Sequence, residues 1–344
     1  MRQTKLNFGK FNWEHLCKLA SVALLLTACF AVRSLAHQQK QKTFSSSENA
    51  VNALVTALQG SDEQALLDVL GQDGKQIVSS GDEVEDRQNR ANFVQKYQQM
   101  HRLVNEPDGT TILYIGAENW PSPIPLVKKG SSWYFDTDAG KQEILYRRVG
   151  RNELSAIRVC QELVAAQKEY YSTQQNDYAQ KIFSDAGQHN GLYWKAAADE
   201  PQSPIGPMIA AAVLEGYVKG EGGPPTPYRG YYYRVLTRQG KDGPGGAKNY
   251  IVNGKMTAGF AFVAYPAEYR SSGVMTFTVT DDGVVYQKDL GKKTGVIAKA
   301  MKEYNPDFSW QKAGEQQEQT ASSRPRKRKS VPFPHDSNDF GPGW

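Results

Sequence analysis

The sequence predicts an α+β protein with two domains, each built of helices packed on a small antiparallel sheet. Three observations support this prediction. The 344 residues exceed the usual length of one domain. Apolar residues recur at helical spacing over 51–58, and they alternate with polar residues over 259–291, which is typical of strands. Breaks at Pro266, Gly273 and Gly283 divide this second stretch into three antiparallel strands joined by turns.

The first domain is predicted to cover residues 43–149 and to place a layer of helices on a sheet. Helical periodicity, with Ser46 or Ser47 as the first N-cap, predicts helices over 47–60, 62–70 and 84–103. The period then changes to that of strands, which are predicted over 111–116, 124–128 and 132–136, the last two joined by a hairpin turn. A helix over 142–148 leads to Gly150, where we place the domain boundary.

The second domain, residues 150–311, is predicted to pack a long helix on the three strands described above. This helix runs from Asn152 to about Tyr178. Its apolar face carries Ile157, Cys160, Val164 and Tyr171. A helix with one apolar face buries it against another layer, and a further strand over 231–237 extends that layer. The long irregular region over 191–230 is of a length that is usually either functional or mobile.

Residues 1–36 have the layout of a secretory signal peptide, with a basic segment, a short apolar run and small residues before a polar stretch. The apolar run is shorter than the ~20 residues that a membrane-spanning helix needs. We expect cleavage after Ala36 and export to the periplasm or envelope. Two alternatives stay open. Residues 26–29 have the form of a lipobox, which would place a lipid on Cys29, and the segment could also stay as an uncleaved anchor.

The net charge of +5 lies mostly at the two ends of the chain. Residues 1–36 carry +4 and residues 312–344 carry +2, which leaves −1 for the body and argues against nucleic acid as a specific partner. The segment 312–344 is predicted to be a disordered tail, because it has too few apolar residues to offset the entropy lost on ordering. Its basic residues could contact an anionic surface weakly, although a solvated tail is the preferred interpretation. These residues are Arg324, Arg326, Lys327, Arg328 and Lys329.

No motif in the sequence specifies a reaction, and no metal or cofactor is predicted. The five histidines include no pair at i, i+4 spacing, and the three cysteines form no Cys-x-x-Cys motif. Cys160 could form a thiol triad with His189 and an aspartate, but a lone cysteine on an apolar helix face is more often a small buried hydrophobe. The two aspartates before Gly283 are interpreted as a hairpin turn.

Aromatic residues in loops are the best candidates for contacting a partner. Rings of this kind combine an apolar body with a polar edge, which suits a binding surface. The candidate surface consists of Trp120, His189, Tyr193, Trp194, Tyr228 and Tyr231. The alternative is that the rings close the edges of the domains and the histidine is simply exposed.

Several segments together closely resemble the bacterial exported family known as domain-of-unknown-function 2950. The matching segments are 66–71, 78–82, 120–127, 133–137, 148–154, 191–194, 227–232, 252–256 and 259–291. They run from about Thr43 to Gln311, so the resemblance covers the predicted folded body and leaves out the basic tail. It implies an exported envelope protein and transfers no activity, because the family has no assigned reaction.

The second domain alone is similar to the globular domains of type IV pilins and type II secretion pseudopilins. The order and spacing of 176–179, 230–233, 261–266 and 273–285 carry this similarity. In those proteins a helix packs on an antiparallel sheet. A whole domain separates the predicted signal peptide from the helix here, so the membrane helix through which pilins polymerise is missing. The resemblance therefore implies a fold and not a filament.

We therefore expect an exported, non-catalytic protein that works as a binding or assembly module for an envelope protein or polymer. The alternative is a hydrolase with a site in the cleft between the two predicted domains. It would use His189 or acidic residues that the sequence does not group. Buried ionisable groups lying close together in a pocket would favour the enzyme.

Overall fold

The computed structural model describes residues 41–314, except for 61, 174–175, 198, 215–216 and 218–225. The predicted signal peptide with Cys29, and the basic residues of the predicted tail, lie outside the described residues. Helices and several small antiparallel sheets occur together, which confirms the predicted α+β class. Within the described ranges, no helix combines the length and the apolar character needed to span a membrane.

Four helices begin the fold. They are α1 (Ser47–Gly60), α2 (Glu63–Leu70), α3 (Lys75–Val78) and α4 (Glu83–Gln99). Asp62 caps α2, because its side chain accepts a hydrogen bond from the backbone N–H of Gln64 at 2.9 Å. Apolar side chains of the first three helices form a buried cluster with Phe93 of α4 and with the first sheet. This cluster is the first core.

The first sheet has five antiparallel strands. They are β1 (His101–Asn105), β2 (Thr111–Ile115), β3 (Trp120–Pro121), β4 (Leu126–Lys129) and β5 (Ser132–Phe135). The order is β1-β2-β4-β5, with β3 also paired to β2. The predicted hairpin is confirmed, since Lys129 pairs with Ser132. The predicted helix over 84–103 is too long. It ends at Gln99, and β1 pairs with β2 over its whole length, because tertiary pairing overrides a weak local preference.

A single helix, α5 (Thr137–Thr173), follows the first sheet. The prediction of two helices separated at Gly150 is wrong, because one glycine costs a helix only about 1 kcal/mol and no proline accompanies it. The early turns of α5 place Ile144 in the first core. Later turns place Cys160 and Leu163 in a second core. One helix therefore serves both cores, and the division into two domains stays a prediction.

The remaining elements belong to the second half of the chain. They are α6 (Gly206–Leu214), β6 (Tyr231–Leu236), β7 (Arg238–Gln239), β8 (Lys248–Asn249), β9 (Ile251–Val252), β10 (Lys255–Met256), β11 (Ala261–Pro266), β12 (Met275–Thr280), β13 (Tyr286–Asp289), α7 (Thr294–Ala300), β14 (Glu303–Tyr304) and β15 (Gln311–Lys312). Strands β7, β8 and β14 form a small sheet, and β9 pairs with β10. The sequence did not predict these two-residue strands, because they leave no periodic pattern.

The main sheet confirms the three strands predicted over 259–291. Its antiparallel order is β15-β13-β12-β11-β6. The turn between β12 and β13 forms as predicted, with Gly283 at φ 74° and Oδ1 of Asp282 accepting from the N–H of Val284 at 2.9 Å. Helix α5 packs on β11 and β12, and α7 packs on β11. Every residue of β11 is buried, so both faces of this strand are covered.

Candidate functional site

Charged side chains are buried together where α4 begins and α5 passes it. The group consists of Asp82, which caps α4, Glu85 and Asp86 on α4, and Arg148 and Arg151 on α5. We call it the buried charge cluster. Arg151 is half-buried, and the other four residues are buried. Charges removed from water are stable only when they are paired or hydrogen-bonded, so the partners of each one decide what the cluster does.

Asp82 is 1% exposed and joins the start of α4 to the turn before β6. Its Oδ1 caps the helix by accepting from the N–H of Glu85 at 3.1 Å. Its Oδ2 accepts from the N–H of Gly230 at 2.8 Å and from the hydroxyl of Tyr217 at 3.0 Å. Burial raises the pKa of Asp82, while these hydrogen bonds oppose the rise. A Cβ on Gly230 would overlap the side chain of Asn152, so the turn requires glycine here.

Glu85 connects α4 to α5 and, through α5, to the main sheet. Arg151 donates to one carboxylate oxygen of Glu85 at 2.7 Å, and Asn152 donates to the other at 3.1 Å. Asn152 also donates to the carbonyl oxygen of Ser272 at 3.1 Å, just before β12. The pair of Glu85 with Arg151 is therefore held in a fixed geometry by a neutral amide, which an exposed ion pair lacks.

Arg148 is 1% exposed and is the cation at the centre of the cluster. It donates to the carbonyl oxygens of Gln76 and Ile77 at 2.8 and 2.6 Å. Burial lowers the pKa of Arg148, while the charges of Asp86 and then Glu85 raise it. Because arginine stays protonated in proteins, this position holds a buried positive charge that depends on the two carboxylates.

Glu153, one turn further along α5, binds the start of β12. One oxygen of its carboxylate accepts from the N–H groups of Val274 and Met275 at 2.9 and 3.0 Å. Burial is the largest influence on the pKa of Glu153 and raises it, the two backbone hydrogen bonds lower it, and the charge of Asp289 raises it. Glu153 is half-buried and therefore adds a carboxylate contact between α5 and the main sheet to the amide contact of Asn152.

We expect the free energy of unfolding of the native protein to fall as the pH rises, and we expect Glu153→Gln to make this fall smaller. A carboxyl group whose pKa is raised by folding contributes stability below its unfolded value, here 4.5, and that contribution is lost as the pH rises through the folded value. Glutamine keeps an oxygen that can accept from Val274 and Met275 but cannot ionise. The free energy of unfolding, measured in urea between about pH 4 and pH 8, should therefore fall less steeply in the variant. The exposed Glu162→Gln variant on the same helix is the control, and equal slopes in the two variants would contradict the expectation.

The buried charge cluster has the properties of a structural joint. Its members bind backbone groups from the segment before α4 and from the turn before β6, and the neighbouring Asn152 and Glu153 on α5 bind the segment that leads into β12. The hydroxyl of Ser271 strengthens the same contact by donating to the carbonyl oxygens of Gln76 and Ser79 at 2.8 and 3.1 Å. Asp82, Glu85 and Glu153 already accept hydrogen bonds from fixed protein groups. These hydrogen bonds link parts of the chain that are distant in sequence.

Three of the sequence-predicted binding residues lie in one loop. The rings of His189 and Trp194 stack with centroids 4.4 Å apart, and Trp194 is 8% exposed. Tyr193 is half-buried and meets Phe183 edge to face, with centroids 5.9 Å apart. His189 is exposed, and Phe183 is 47% exposed. Trp194 is therefore buried in the second core, in contrast to its predicted exposure. We call Phe183, His189 and Tyr193, together with the buried Trp194 on which His189 stacks, the aromatic loop surface.

Hydrogen bonds hold the loop under this surface in one conformation. The N–H of Tyr193 donates to the carbonyl of Ile182 at 2.8 Å, and the hydroxyl of Tyr170 donates to the carbonyl of His189 at 2.7 Å. The side chain of Asn190 links Asp185 and Gln188, donating to each at 2.8 Å. The exposed rings are therefore presented on a hydrogen-bonded backbone, and a surface of this kind loses less entropy than a mobile loop in forming any interface.

The other three predicted residues occupy different places. Tyr228 is half-buried beside the turn before β6, with the guanidinium of Arg229 5.5 Å from its ring centroid. Trp120 lies half-buried in β3 and packs on the first core. Tyr231 is 0% exposed, and its hydroxyl donates to the carbonyl of Met275 at 3.0 Å. Tyr231 is therefore part of the second core, and a surface role cannot rest on it.

A family model described as "Protein of unknown function (DUF2950)" matches residues 41–313. The chain belongs to this family. The match confirms the family resemblance seen in the sequence, and it covers all the described helices and strands of this DUF2950 chain. No curated protein and no solved structure matches it.

Cys160 of this DUF2950 chain is fully buried in the second core, as expected for a small apolar residue. Burial raises the pKa of its thiol to about 12, so a thiolate nucleophile is strongly disfavoured there. His189, the base of the hypothetical triad, is exposed on the aromatic loop surface. In the part of the chain that the structure describes, no group of three or more His, Cys, Asp or Glu side chains is placed to hold a metal ion.

The buried charge cluster was not predicted from the sequence. One local signal was present, because Asp82 is followed three residues later by Glu85, a spacing typical of a helix N-terminus. That signal predicts a cap and says nothing of partners distant in sequence. Arg148 offered no signal, since an arginine in a helix is usually exposed.

Proposed function

We propose that this DUF2950 chain is an exported envelope protein that acts as a non-catalytic binding or assembly module through its aromatic loop surface. The observation that carries the proposal is the pairing of exposed rings, Phe183 and His189, with a hydrogen-bonded loop. Aromatic side chains dominate the energetics of protein interfaces, and most of that energy comes from a few residues. Because the loop is already ordered, binding does not cost the entropy of ordering the loop.

A hydrolase is the second candidate, and the buried charge cluster is the observation that favours it. Burial raises the pKa values of Asp82, Asp86 and Glu153, and perturbed carboxyl groups are common in active sites. Structural ion-pair networks perturb pKa values in the same way. Asp82 and Glu153 accept from backbone N–H groups, and Asp86 borders a cavity of only ≈ 20 Å³. These contacts support a structural role for the buried charge cluster better than a catalytic one. They therefore favour the non-catalytic binding module over the hydrolase.

We propose that the fold consists of two domains. An α+β domain covers residues 43–149, and a pilin-like α+β domain covers residues 150–311. Helix α5 packed on the antiparallel main sheet supports the pilin-like part. Two buried apolar clusters, one in each half of the described chain, support the division into two domains. Because α5 contributes to both clusters, we propose that the two domains move as one unit.

We also propose that the protein is exported to the periplasm or envelope. The basic and apolar composition of residues 1–36 supports a cleaved signal peptide, and the lipobox at 26–29 supports the alternative of a lipidated Cys29. The intact mass of the mature protein distinguishes a start at His37 from a lipidated Cys29 start and from an uncleaved chain. Weak contact of the basic residues in the predicted tail with anionic surfaces belongs to the same proposal.

We expect a photo-crosslinking side chain at position 183 or 189 to capture the same envelope component in cells. The matched control is position 308, because Phe308 is fully exposed on a different segment. In a binding assay with the captured component, the variant carrying Phe183→Ala and His189→Ala should lose about tenfold or more in affinity, while Phe308→Ala should leave it unchanged.

Capture of the same component from position 308, or equal affinity in the double variant, would remove the binding proposal. The hydrolase would instead be established if the protein hydrolysed a purified envelope polymer and Asp86→Asn abolished that activity with the fold intact.

A further inference from the structure

We propose that the groove between α1 and α4 binds a small hydroxycarboxylate, with the carboxylate on the two arginines of α4 and a hydroxyl group in the cavity behind them. This site is separate from the aromatic loop surface and does not depend on its role. The groove has a volume of ≈ 320 Å³ and the cavity one of ≈ 20 Å³, and both are lined by Leu58 and Arg90. A groove of about 300 Å³ or more is of the size that small-molecule ligands occupy.

The groove offers positive charge. Arg87 is exposed and Arg90 is half-buried, and they lie three residues apart on one face of α4. Among the described residues, neither guanidinium group forms an ion pair, and the one hydrogen bond of Arg90 is a long contact of 3.5 Å to the carbonyl of Val78. Arginine binds carboxylates through two parallel N–H donors, so an acidic ligand fits this wall.

The rest of the groove suits a small polar molecule with a carbon skeleton. Leu58, Ala91 and Val94 supply its apolar surface. The side-chain amides of Gln59, Gln95 and Gln98, all exposed, can donate to and accept from further ligand oxygens. The groove therefore combines a short apolar floor with amides and positive charge.

The cavity requires a group that both donates and accepts. It is lined by Asp86 and Arg90, and each has a buried polar atom without a hydrogen-bond partner among the described residues. Oδ1 of Asp86 needs a donor, and Nε–H of Arg90 needs an acceptor. One hydroxyl group meets both needs, because it can donate to Asp86 and accept from Arg90. A cavity of ≈ 20 Å³ has room for one such group, since a group the size of water needs about 10–15 Å³.

The charge of Asp86 does not cancel the attraction of the groove. Asp86 is 6% exposed, and this burial raises its pKa. The N–H of Ser80, which donates to its other oxygen at 2.9 Å, and the charge of Arg148 oppose the rise from inside the protein. The charge of Asp86 is thus balanced within the buried charge cluster, which leaves Arg87 and Arg90 for an external anion.

The ends of the chain are poor alternatives as occupants of the groove. Residues 1–36 carry a net charge of +4 and residues 312–344 one of +2, so both are repelled by two arginines. The charge of the groove therefore favours an external acid over a segment of the same chain.

The test uses D-gluconate as the probe, titrated into the full chain and followed by calorimetry and by backbone amide NMR. We expect millimolar or tighter binding, with shifts centred on Leu58, Arg87 and Ala91. Hexanoate lacks the hydroxyl groups and glucose lacks the carboxylate, so each should bind about tenfold more weakly or worse. Arg87→Gln should weaken gluconate binding about tenfold, and Ala91→Trp should abolish it by filling the groove.

The matched control is Arg238→Gln, which removes the same charge from an exposed arginine on β7 and should leave the affinity unchanged. Circular dichroism of each variant checks that the fold is kept. The proposal is overturned if gluconate does not bind at millimolar concentration, or if Arg87→Gln binds as tightly as the native chain. It is also overturned if hexanoate binds as tightly as gluconate, because the cavity would then play no part.

Discussion

Arg148→Met is expected to lower the free energy of unfolding by about 3–5 kcal/mol, the usual cost of removing one partner from a buried ion pair. Methionine is also a long, flexible side chain, so the loss reflects charge and hydrogen bonds more than empty space. The carboxylate of Asp86 would stay buried without the charge of Arg148, while Glu85 would keep only Arg151. The carbonyls of Gln76 and Ile77 would lose their donors. Urea unfolding at neutral pH, followed by far-ultraviolet circular dichroism, measures the change.

The control for this prediction is Arg158→Met, an exposed arginine on the same helix. Within the described part of the chain, its guanidinium donates only to the hydroxyl of Ser155, at 3.4 Å, so the expected loss is below about 0.5 kcal/mol. If Arg148→Met does not fold at all, adding Asp86→Asn should recover part of the stability, because it removes one of the unpaired charges. Equal losses for Arg148→Met and Arg158→Met would show that the buried charge cluster does not stabilise the fold.

The elements that the sequence predicted correctly are those whose signals are local. The three strands over 259–291 alternate with period two, and Asp282 with Gly283 supplies the backbone conformations of their turn. Helices α1 and α2 combine apolar periodicity with capping residues. Where local signals were weak, the tertiary structure decided. Residues 101–103 joined a strand, and Gly150 stayed inside a continuous helix.

The candidate site could be predicted only in part, for the same reason. The aromatic loop surface was visible because His189, Tyr193 and Trp194 are close in sequence. The burial of Tyr231 was not visible, since it depends on packing against other strands. The buried charge cluster depends on contacts between distant parts of the chain: Arg148 and Gln76 are 72 positions apart in sequence, and Asp82 and Gly230 are 148 positions apart. No local period records such contacts.

Asp82→Ala is expected to cost about 2–4 kcal/mol, well above the loss from removing an ordinary helix cap. The cap itself accounts for about 1 kcal/mol. The rest comes from the N–H of Gly230, a buried donor that would lose its acceptor, and from the hydroxyl of Tyr217. A buried donor without a partner costs about 1–3 kcal/mol. Burial raises the pKa of Asp82, because burying its charge costs stability, and alanine removes this cost. This gain offsets part of the loss, so the expected total stays at about 2–4 kcal/mol.

Asp62→Ala provides a matched comparison, because Asp62 caps α2 through the N–H of Gln64 and is exposed. It should cost about 1 kcal/mol in the same urea titration. The difference between the two alanine variants therefore isolates what Asp82 does beyond capping. If that difference is absent, the bonds from Gly230 and Tyr217 to Asp82 do not stabilise the fold, and α4 is not joined to the main sheet through this carboxylate. If it is present and Asp82→Asn recovers part of it, the carboxylate acts chiefly as a hydrogen-bond acceptor, as the joint requires.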